Sequence, residues 1–309
     1  MRVIEQIEQL REAIRSYNEQ WDGASTGRSR PTVGFVPTMG YLHQGHISLL
    51  RQAKAQDDLV VLSIFVNPLQ FGPNEDFDRY PRNTEADLTA AEEAGVDLVF
   101  MPSVSEMYPE YPLATRITVG ETAARLCGAT RPGHFDGVAT VVMKLFHIVQ
   151  PDHAYFGLKD AQQIAVLKQV SRDLNSPVQI IPCPIVREAD GLALSSRNVY
   201  LSVEERAQAI ALSQSLHKAE QLIGEGELDA GQLESVISSD IASQPLAKLD
   251  YVSVLSYPSL QPIARTGSIQ RALDGMEDQQ IIVALAAWFG STRLIDNRIF
   301  TLMEVKQHV

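Results

Sequence analysis

The chain has 309 residues, 45% of them apolar and 21% charged, and a formal net charge of −12. That length allows two domains, each burying its own core, while the acidic balance excludes broad contact with nucleic acid or anionic lipid, which need basic surface. The two cysteines, Cys127 and Cys183, are isolated, which offers neither a disulfide framework nor a zinc knuckle and fits a reducing cytoplasm.

MRVIEQIEQLREAI reads as an amphipathic, mixed-charge helix rather than a secretory leader, and no run approaches the roughly 20 apolar residues that span a bilayer. A linker-like patch, Asp22 to Arg30, precedes the strand TVGFVP. The continuous apolar run LVVLSIFV (59–66) is a strand covered on both faces. Thr84 with Asp87 caps a helix reaching Gly95, and DLVFMP follows as a strand. Val138, Val141, Val142, Leu145, Ile148 and Val149 recur at helical spacing. HAYFG and PVQIIPCPIV are further strands, with a helix over Ala161 to Leu174 between them.

Strands alternating with helices at these lengths imply an α/β fold with right-handed crossovers and a parallel sheet. Ligands of such sheets bind outside the carboxyl ends of the strands, and PTMG, VNPLQFG, FGLKD and PIVREADG all follow predicted strands. After about Val186 the texture changes. Ser202 and Glu205 form a capping box for a long helix to about Gly224, before the turn GEGELDAG. A helix over Gln232 to Ala242 and the strands LDYVSVLS and QQIIVALAAW complete a smaller α+β domain. The expected organisation is a parallel-sheet domain over residues 1–185 and a smaller carboxyl-terminal domain over 186–309.

Chemistry-bearing residues gather in those post-strand segments. In PTMGYLHQGH, Gly40 relieves the backbone leaving the strand, Gly45 lets a ligand approach, and a helix begins near His46 with Ile47, Leu49, Leu50 and Ala53 facing the sheet. Free N–H groups at that helix start favour phosphate, and His43 and His46 can donate to phosphoryl oxygens. A lone HxxH pair would be a polar turn, and a zinc site lacks a third ligand cluster; the strand–Gly–His–x–Gly–His context favours a nucleotide. Gln70 can donate to and accept from a substrate bearing hydroxyl and carboxylate groups, while Asn67 holds the turn before Pro68. Lys159 is a mobile charge for phosphate, Asp160 an N-cap for the next helix, and Gln163 sits one turn into it. Ser195, Ser196 and Arg197 form a loop of phosphate donors or a polar hinge. In RPGHFDG, His134 or Asp136 caps the following helix; His147 and His153 are structural or surface residues, and Arg79 and Arg82 solvated charge. No GxxxxGK[ST] or GxGxxG occurs.

PTMGYLHQGH, FVNPLQFG, DRYPR, RPGHFDGVATVVMKLFHIVQPD, FGLKDAQQ, DGLALSSRN and AAWFGSTRLIDN occur in that order. Together they resemble the pantoate–β-alanine ligase (pantothenate synthetase) family, from about Thr32 to Asn297. The resemblance implies a Rossmann-like amino-terminal domain, a smaller domain acting as a lid, and a homodimer. It also implies two chemical steps: ATP and pantoate give pantoyl adenylate and pyrophosphate with Mg²⁺, and β-alanine then displaces AMP. Position by position, Met39, Gly40, Tyr41, Leu42, His43, Gln44, Gly45 and His46 form the ATP segment, with His46 as the acid. Gly157, Leu158, Lys159, Asp160, Val186, Leu194, Ser195, Ser196 and Arg197 complete the ATP site, and Gln70 and Gln163 hold pantoate, Gln70 also near β-alanine. Two departures are Leu158, where the family often has Glu, and the longer insert GASTGRSR. On this reading His43, His46, Lys159, Ser195, Ser196 and Arg197 offset the repulsion between a carboxylate and a triphosphate. Rival readings are another adenylyl or cytidylyl transferase, an idle nucleotide-binding scaffold, and a tRNA synthetase, which the acidic balance disfavours.

Overall fold

A computed structural model of the chain describes residues 1–22, 27–73, 75–225, 229–267, 269 and 279–301. Part of the linker-like patch (23–26) and part of the Gly/Glu-rich turn (226–228) therefore lie outside the described residues. The polypeptide divides into two compact units, Met1–Ala123 with Arg131–Pro184, and Ala124–Thr130 with Ile185–Val309.

The first unit holds β1 (Arg2–Ile4), β2 (Val33–Thr38), β3 (Leu59–Ile64), β4 (Leu98–Phe100), β5 (His153–Gly157) and β6 (Gln179–Cys183). They form a six-stranded sheet in the order β1-β4-β3-β2-β5-β6, parallel throughout, as the βα alternation implies. From β2 the chain steps one way to β3 and β4, then returns to β5 and β6 on the other side. The strand order thus reverses between β2 and β5, and such a switch point opens a crevice at the carboxyl ends.

Side-chain alternation assigns the helices to faces. Val36, Val60, Leu62, Val99 and Tyr155 pack with Ile47, Leu49, Leu50 and Ala53 of α2 (Gln44–Gln56), the four residues whose spacing pointed at the sheet. Phe35, the residue before Val36 in β2, meets Phe146 of α7 (His134–Val149, which follows the one-turn helices α4, Val104–Met107, α5, Glu121–Ala124, and α6, Cys127–Thr130) edge-on at 6.5 Å. Fully buried side chains such as Phe35, Leu50 and Leu62 each contribute about 1.5–3 kcal/mol.

Two local expectations need correcting here. The amino terminus is not all helix. Residues 2–4 pair with β4, placing Ile4 beside Phe100 in the core, and α1 (Ile7–Glu19) starts only after that strand, its Ile7 N–H donating to Glu106 Oε1. The helix α3 (Thr84–Glu93) is capped by Asn83, whose side chain accepts from Ala86 N, and not by Thr84. Asn83 wins because it sits one residue before the first helical turn, where a side-chain oxygen reaches the unsatisfied N–H groups.

The amino edge of the sheet carries a buried polar cluster. Asp57 accepts from Tyr155 Oη at 2.5 Å and pairs with His153 Nδ1 at 2.7 Å. Gly34 makes this possible, because a Cβ there would stand 2.4 Å from Asp57 Oδ2. Burial, with Asp57 beside it, pushes the Tyr155 phenol above its ordinary value.

The second unit contains β7 (Ala247–Tyr257), β8 (Gln280–Phe289) and β9 (Thr292–Thr301) in an antiparallel sheet ordered β7-β8-β9. Ile281, Val283, Leu285, Ala287 and Phe289 of β8 pack with Leu212, Leu216 and Ile223 of α10 (Ala211–Gly224) and Leu233, Ile237 and Ile241 of α11 (Ala230–Ala242). The Ser202–Glu205 capping box forms, but the expected single helix is two, α9 (Val203–Ala209) and α10, joined at Ile210. This is the smaller α+β domain the sequence indicates. Among the described residues no helix is long and apolar enough to cross a membrane.

Candidate active site

Strand β2 ends at Thr38, whose Oγ1 donates to Ser63 O and accepts from Gly40 N. Gly40 (φ +80°) and Tyr41 (φ +52°) then turn the chain through the left-handed region. The turn leads straight into α2, whose N-cap is His43. His43 Nδ1 accepts from Gly45 N at 3.1 Å, and His46 Nδ1 accepts from His43 N at 3.3 Å. This is a capping box built from two imidazoles, placed where Ser and Glu stand in the common form. The helix thus begins at Gln44, two residues before the point expected from the sequence.

The capping box has a chemical consequence. With both Nδ1 atoms accepting backbone N–H bonds, the hydrogen of either imidazole in its neutral form belongs on Nε2. The two rings lie 4.1 Å apart, tilted by 34°. Burial first, then the neighbouring His43 and the Lys159 ammonium, hold His46 down to about 3, so at neutral pH it is an uncharged N–H donor. Lys159 is therefore electrostatically in touch with His46, although the two segments are far apart in sequence. It reaches the same rim from the 3₁₀ turn Leu158–Asp160 that ends β5, with Asp160 Oδ2 3.7 Å from its Nζ. Asp160 is the N-cap residue of α8 (Ala161–Asp173), yet its side chain makes no capping hydrogen bond, contrary to the expected role. Lying beside Lys159, the half-exposed carboxylate is an acceptor at the rim instead. A Cβ at Gly157 would meet nothing within 4 Å, leaving open space at the end of β5. Gln163 lies half-buried in the first turn of α8.

The next wall follows β3. Asn67 caps the 3₁₀ turn Pro68–Gln70 by accepting from Leu69 N, and its Oδ1 also accepts from Tyr108 Oη at 2.7 Å. Its Nδ2 donates to Gly137 O at 3.2 Å and to Gln70 Oε1 at 3.1 Å, while Gln70 Nε2 donates to Met39 Sδ at 3.2 Å. Gln70 therefore bridges the β3 turn to the β2 loop. The turn lies so close to α7 that a Cβ on Gly137 would stand 2.2 Å from Leu69 O.

His134 and Arg131 support Gln70 from behind. His134 Nδ1 donates to Gln70 O at 2.8 Å, and Arg131 Nη1 donates to His134 Nε2 at 3.0 Å. Burial and the Arg131 charge hold His134 down to about 4, so this ring too is neutral. Arg131 also grips Glu75 with two bonds of 2.6 and 2.5 Å. Burial pushes Glu75 up, but the guanidinium outweighs it and holds the carboxyl below its ordinary value. The expected capping by His134 or Asp136 does not occur. Gly133 is the N-cap of α7 with no side-chain cap, and Asp136 accepts from Val119 N instead. Sequence reasoning singled out RPGHFDG but gave it no role toward Gln70.

The remaining candidates lie in the second unit. Val186 and Leu194 are brought together in a small hairpin, with Leu194 N donating to Val186 O at 3.0 Å and Glu188 N to Leu192 O at 2.8 Å, closed at Gly191 (φ +93°). Ser195 caps the 3₁₀ turn Ser196–Tyr200 through Arg197 N. Asn198 Nδ2 ties that turn back to Glu188 Oε1 and Ala193 O, and Arg206 clamps Glu188 and Asp190. This loop is a braced element rather than a loose polar hinge.

His153 belongs to the Asp57 cluster at the opposite, amino edge, and His147 Nδ1 donates to Met143 O within α7, so both are structural. An open cavity of about 650 Å³ at that amino edge, lined by Asn18, Asp152 and Gln179 among others, contains none of the candidate residues. Among the described residues no group of three His, Cys, Asp or Glu side chains is placed to hold a metal ion.

The family model for pantoate-beta-alanine ligase matches residues 2–299. A pantothenate synthetase of Geobacillus kaustophilus is 51% identical over 98% of this chain and 94% of its own length. A crystal structure of the Thermus thermophilus pantothenate synthetase superposes with a TM-score of 0.85 at 43% identity, covering 96% of this chain and 99% of that one. The Francisella tularensis pantoate-beta-alanine ligase, crystallised with beta-gamma ATP and beta-alanine, superposes with a TM-score of 0.73 at 34% identity, covering 96% and 97%.

Proposed function

The chain belongs to the pantoate-beta-alanine ligase family, and we propose that it joins pantoate to β-alanine at the expense of ATP in two steps on one site. In the first, a pantoate carboxylate oxygen attacks the α-phosphorus of ATP, and pyrophosphate leaves. In the second, the neutral amine of β-alanine attacks the acyl carbon of pantoyl adenylate, loses a proton and expels AMP.

The observation that carries this reading is the pair of imidazoles at the start of α2, each with Nδ1 committed to backbone N–H. Their Nε2–H donors, the first turn of α2 and the Lys159 ammonium make a cationic, hydrogen-bonding cradle at the β2–β5 switch point. Such a cradle offsets the repulsion between carboxylate and triphosphate and stabilises charge that grows on the phosphoryl oxygens. Because His46 is neutral at neutral pH, it acts as a hydrogen-bond donor to phosphate; as an acid it would first need phosphate beside it to raise its basicity. Met39 to His46, with Gly157, Leu158 and Asp160, surround the nucleotide. Gln70 and Gln163 hold the hydroxyl and carboxylate of pantoate, and Gln70 also meets β-alanine. By family resemblance Val186, Leu194, Ser195, Ser196 and Arg197 are further ATP contacts, the last three as donors to the departing pyrophosphate.

Mg²⁺ fits this donor set as an ion carried by the nucleotide. The described residues offer no three-ligand cage, and Mg²⁺ is commonly held by phosphates and water with one or two carboxylates. Asp160, half-exposed beside Lys159, is the carboxylate that would offer it an oxygen. When bound, the ion neutralises phosphate charge. A reaction that consumes ATP suits the cytoplasm, and family resemblance makes the assembled form a homodimer, which sedimentation at twice 34.1 kDa would test.

The direct test is exchange of labelled pyrophosphate into ATP by the purified protein with Mg²⁺. Exchange that requires pantoate, with AMP and pantothenate appearing on adding β-alanine, is the expected result. Exchange with another acid, or none, would overturn the assignment.

A further inference from the structure

Asp87 enters the sequence reading only as part of a helix cap, and Asn83 fills that role. Its carboxylate nevertheless lies buried, with 3% of the residue exposed. It projects from the first turn of α3 into the loop after β2, where Oδ2 accepts from Tyr41 N at 2.8 Å and Oδ1 from Leu42 N at 2.6 Å. Those two N–H groups follow the left-handed residues Gly40 and Tyr41. Successive N–H groups in such a turn form a concavity that binds anions. Here the protein's own carboxylate fills it. The fit is close on the other side too, since a Cβ at Gly40 would stand 2.9 Å from Asp87 Oδ2 and 3.0 Å from Ile64 Cγ2.

We infer that Asp87 is a positioning residue for the adenylation step, holding the Gly40–Leu42 turn so that His43 and His46 present fixed Nε2–H donors. The chain of cause is short. Leu42 directly precedes the N-cap His43, and the His43 N–H is the group that fixes the His46 ring. By occupying the anion-binding turn, Asp87 also denies it to phosphate, leaving the nucleotide to the start of α2, the imidazoles and Lys159. A carboxylate is required because both partners are donors. An amide offers one accepting oxygen and turns its NH₂ toward the second N–H, so Asp87→Asn keeps the shape and loses half the grip.

This inference rests on the adenylation reading, and the wild-type protein separates the two failures: absence of pantoate-dependent exchange in the wild type sinks that reading, not this role. In Asp87→Asn, kcat for pantoate-dependent exchange should fall ten- to a hundredfold, with KM for ATP moving less than threefold. The ¹⁵N shifts of the His43 and His46 rings should lose the signature of a fixed Nε2–H tautomer. Gly40→Ala, which displaces the same carboxylate oxygen, should give the same pair of changes. Asn83→Ala is the control for stability alone, because it uncaps α3 without touching the loop, and it should lower the melting temperature while leaving kcat and the ring shifts as in the wild type. Unchanged kcat and ring shifts in Asp87→Asn would refute the inference, as would an equal loss of both in Asn83→Ala.

Discussion

Replacing Gly137 by alanine probes how α7 sets the position of Gln70. The added Cβ would lie 2.2 Å from Leu69 O, 2.5 Å from Leu69 C and 2.7 Å from Gln70 N, all backbone atoms that cannot swing away. Ordinary contact begins near 3.4 Å, so helix and turn must separate by about 1 Å. That overpacking costs about 1–3 kcal/mol. Loss of the buried Asn67 Nδ2 to Gly137 O bond adds about 1 kcal/mol, and better helix propensity returns about 1 kcal/mol. The net expectation is destabilisation by about 1–3 kcal/mol. If Gln70 holds pantoate as proposed, the functional effect should exceed the stability effect, because a misplacement of about 1 Å at such a group can cost on the order of a hundredfold in rate. We expect kcat/KM for pantoate to fall ten- to a hundredfold, measured by initial rates at a temperature where denaturant melts show the variant fully folded. Gly120→Ala, whose Cβ meets nothing within 4 Å, is the matched control and should behave as wild type. A Gly137→Ala protein with wild-type stability and wild-type pantoate kinetics would show that the α7–turn contact does not position Gln70.

Three further expectations concern protonation and ion pairs. His46 and His134, held down to about 3 and about 4, stay neutral in the fold while unfolded imidazoles titrate near 6.5. The unfolded chain therefore takes up their protons first, so this stability is complete above pH 6.5 and drains as pH falls toward 4, by at most about 1.4 kcal/mol per pH unit for each ring; His134→Asn should flatten the fall measured by urea melts between pH 6.5 and 4.5, and an unchanged slope would contradict the assignment. His153→Ala removes the imidazole from a fully buried Asp57 carboxylate and should cost about 2–4 kcal/mol in thermal melts without altering KM for ATP or pantoate, since this cluster sits at the opposite edge of the sheet. Glu75→Gln weakens the grip on Arg131 and should raise KM for pantoate several-fold through the Arg131–His134–Gln70 chain, whereas an effect confined to stability would remove that chain from the account.

The parallel direction of the sheet was legible because strand-like runs are separated by helix-length segments, whereas the order of the strands was not, since spacing along the chain does not say which runs pair. Residues 153–157 and 59–64 became strands where those runs stand. The edges were not legible. Only Ile4 of β1 is buried, so nothing in three residues distinguishes a strand from the start of the adjoining amphipathic helix. Strand β9 (TRLIDNRIFT) breaks the apolar–polar alternation, and Arg293, Asp296 and Arg298 mask its period until their partners Asp250, Arg187 and Glu220 are known. Among the candidate residues, His43, His46, Lys159 and Gln70 could be singled out from sequence because unusual residue types closely follow strands. The turn-holding role of Asn67 was readable too, but its bond to Gly137 O, the bonds of Asp87 to the loop after β2 and the grip of Arg131 on Glu75 were not, because those partners stand 70, 45 and 56 residues away and one-dimensional spacing carries no trace of them.

The most direct measurement of the central claim follows oxygen from pantoate carrying ¹⁸O in its carboxylate, incubated with the protein, ATP, Mg²⁺ and β-alanine. Attack on the α-phosphorus within the His43–His46–Lys159 cradle transfers one labelled oxygen to AMP for each pantothenate formed. Label in pyrophosphate or inorganic phosphate, or pantothenate appearing beside unlabelled AMP, would contradict it.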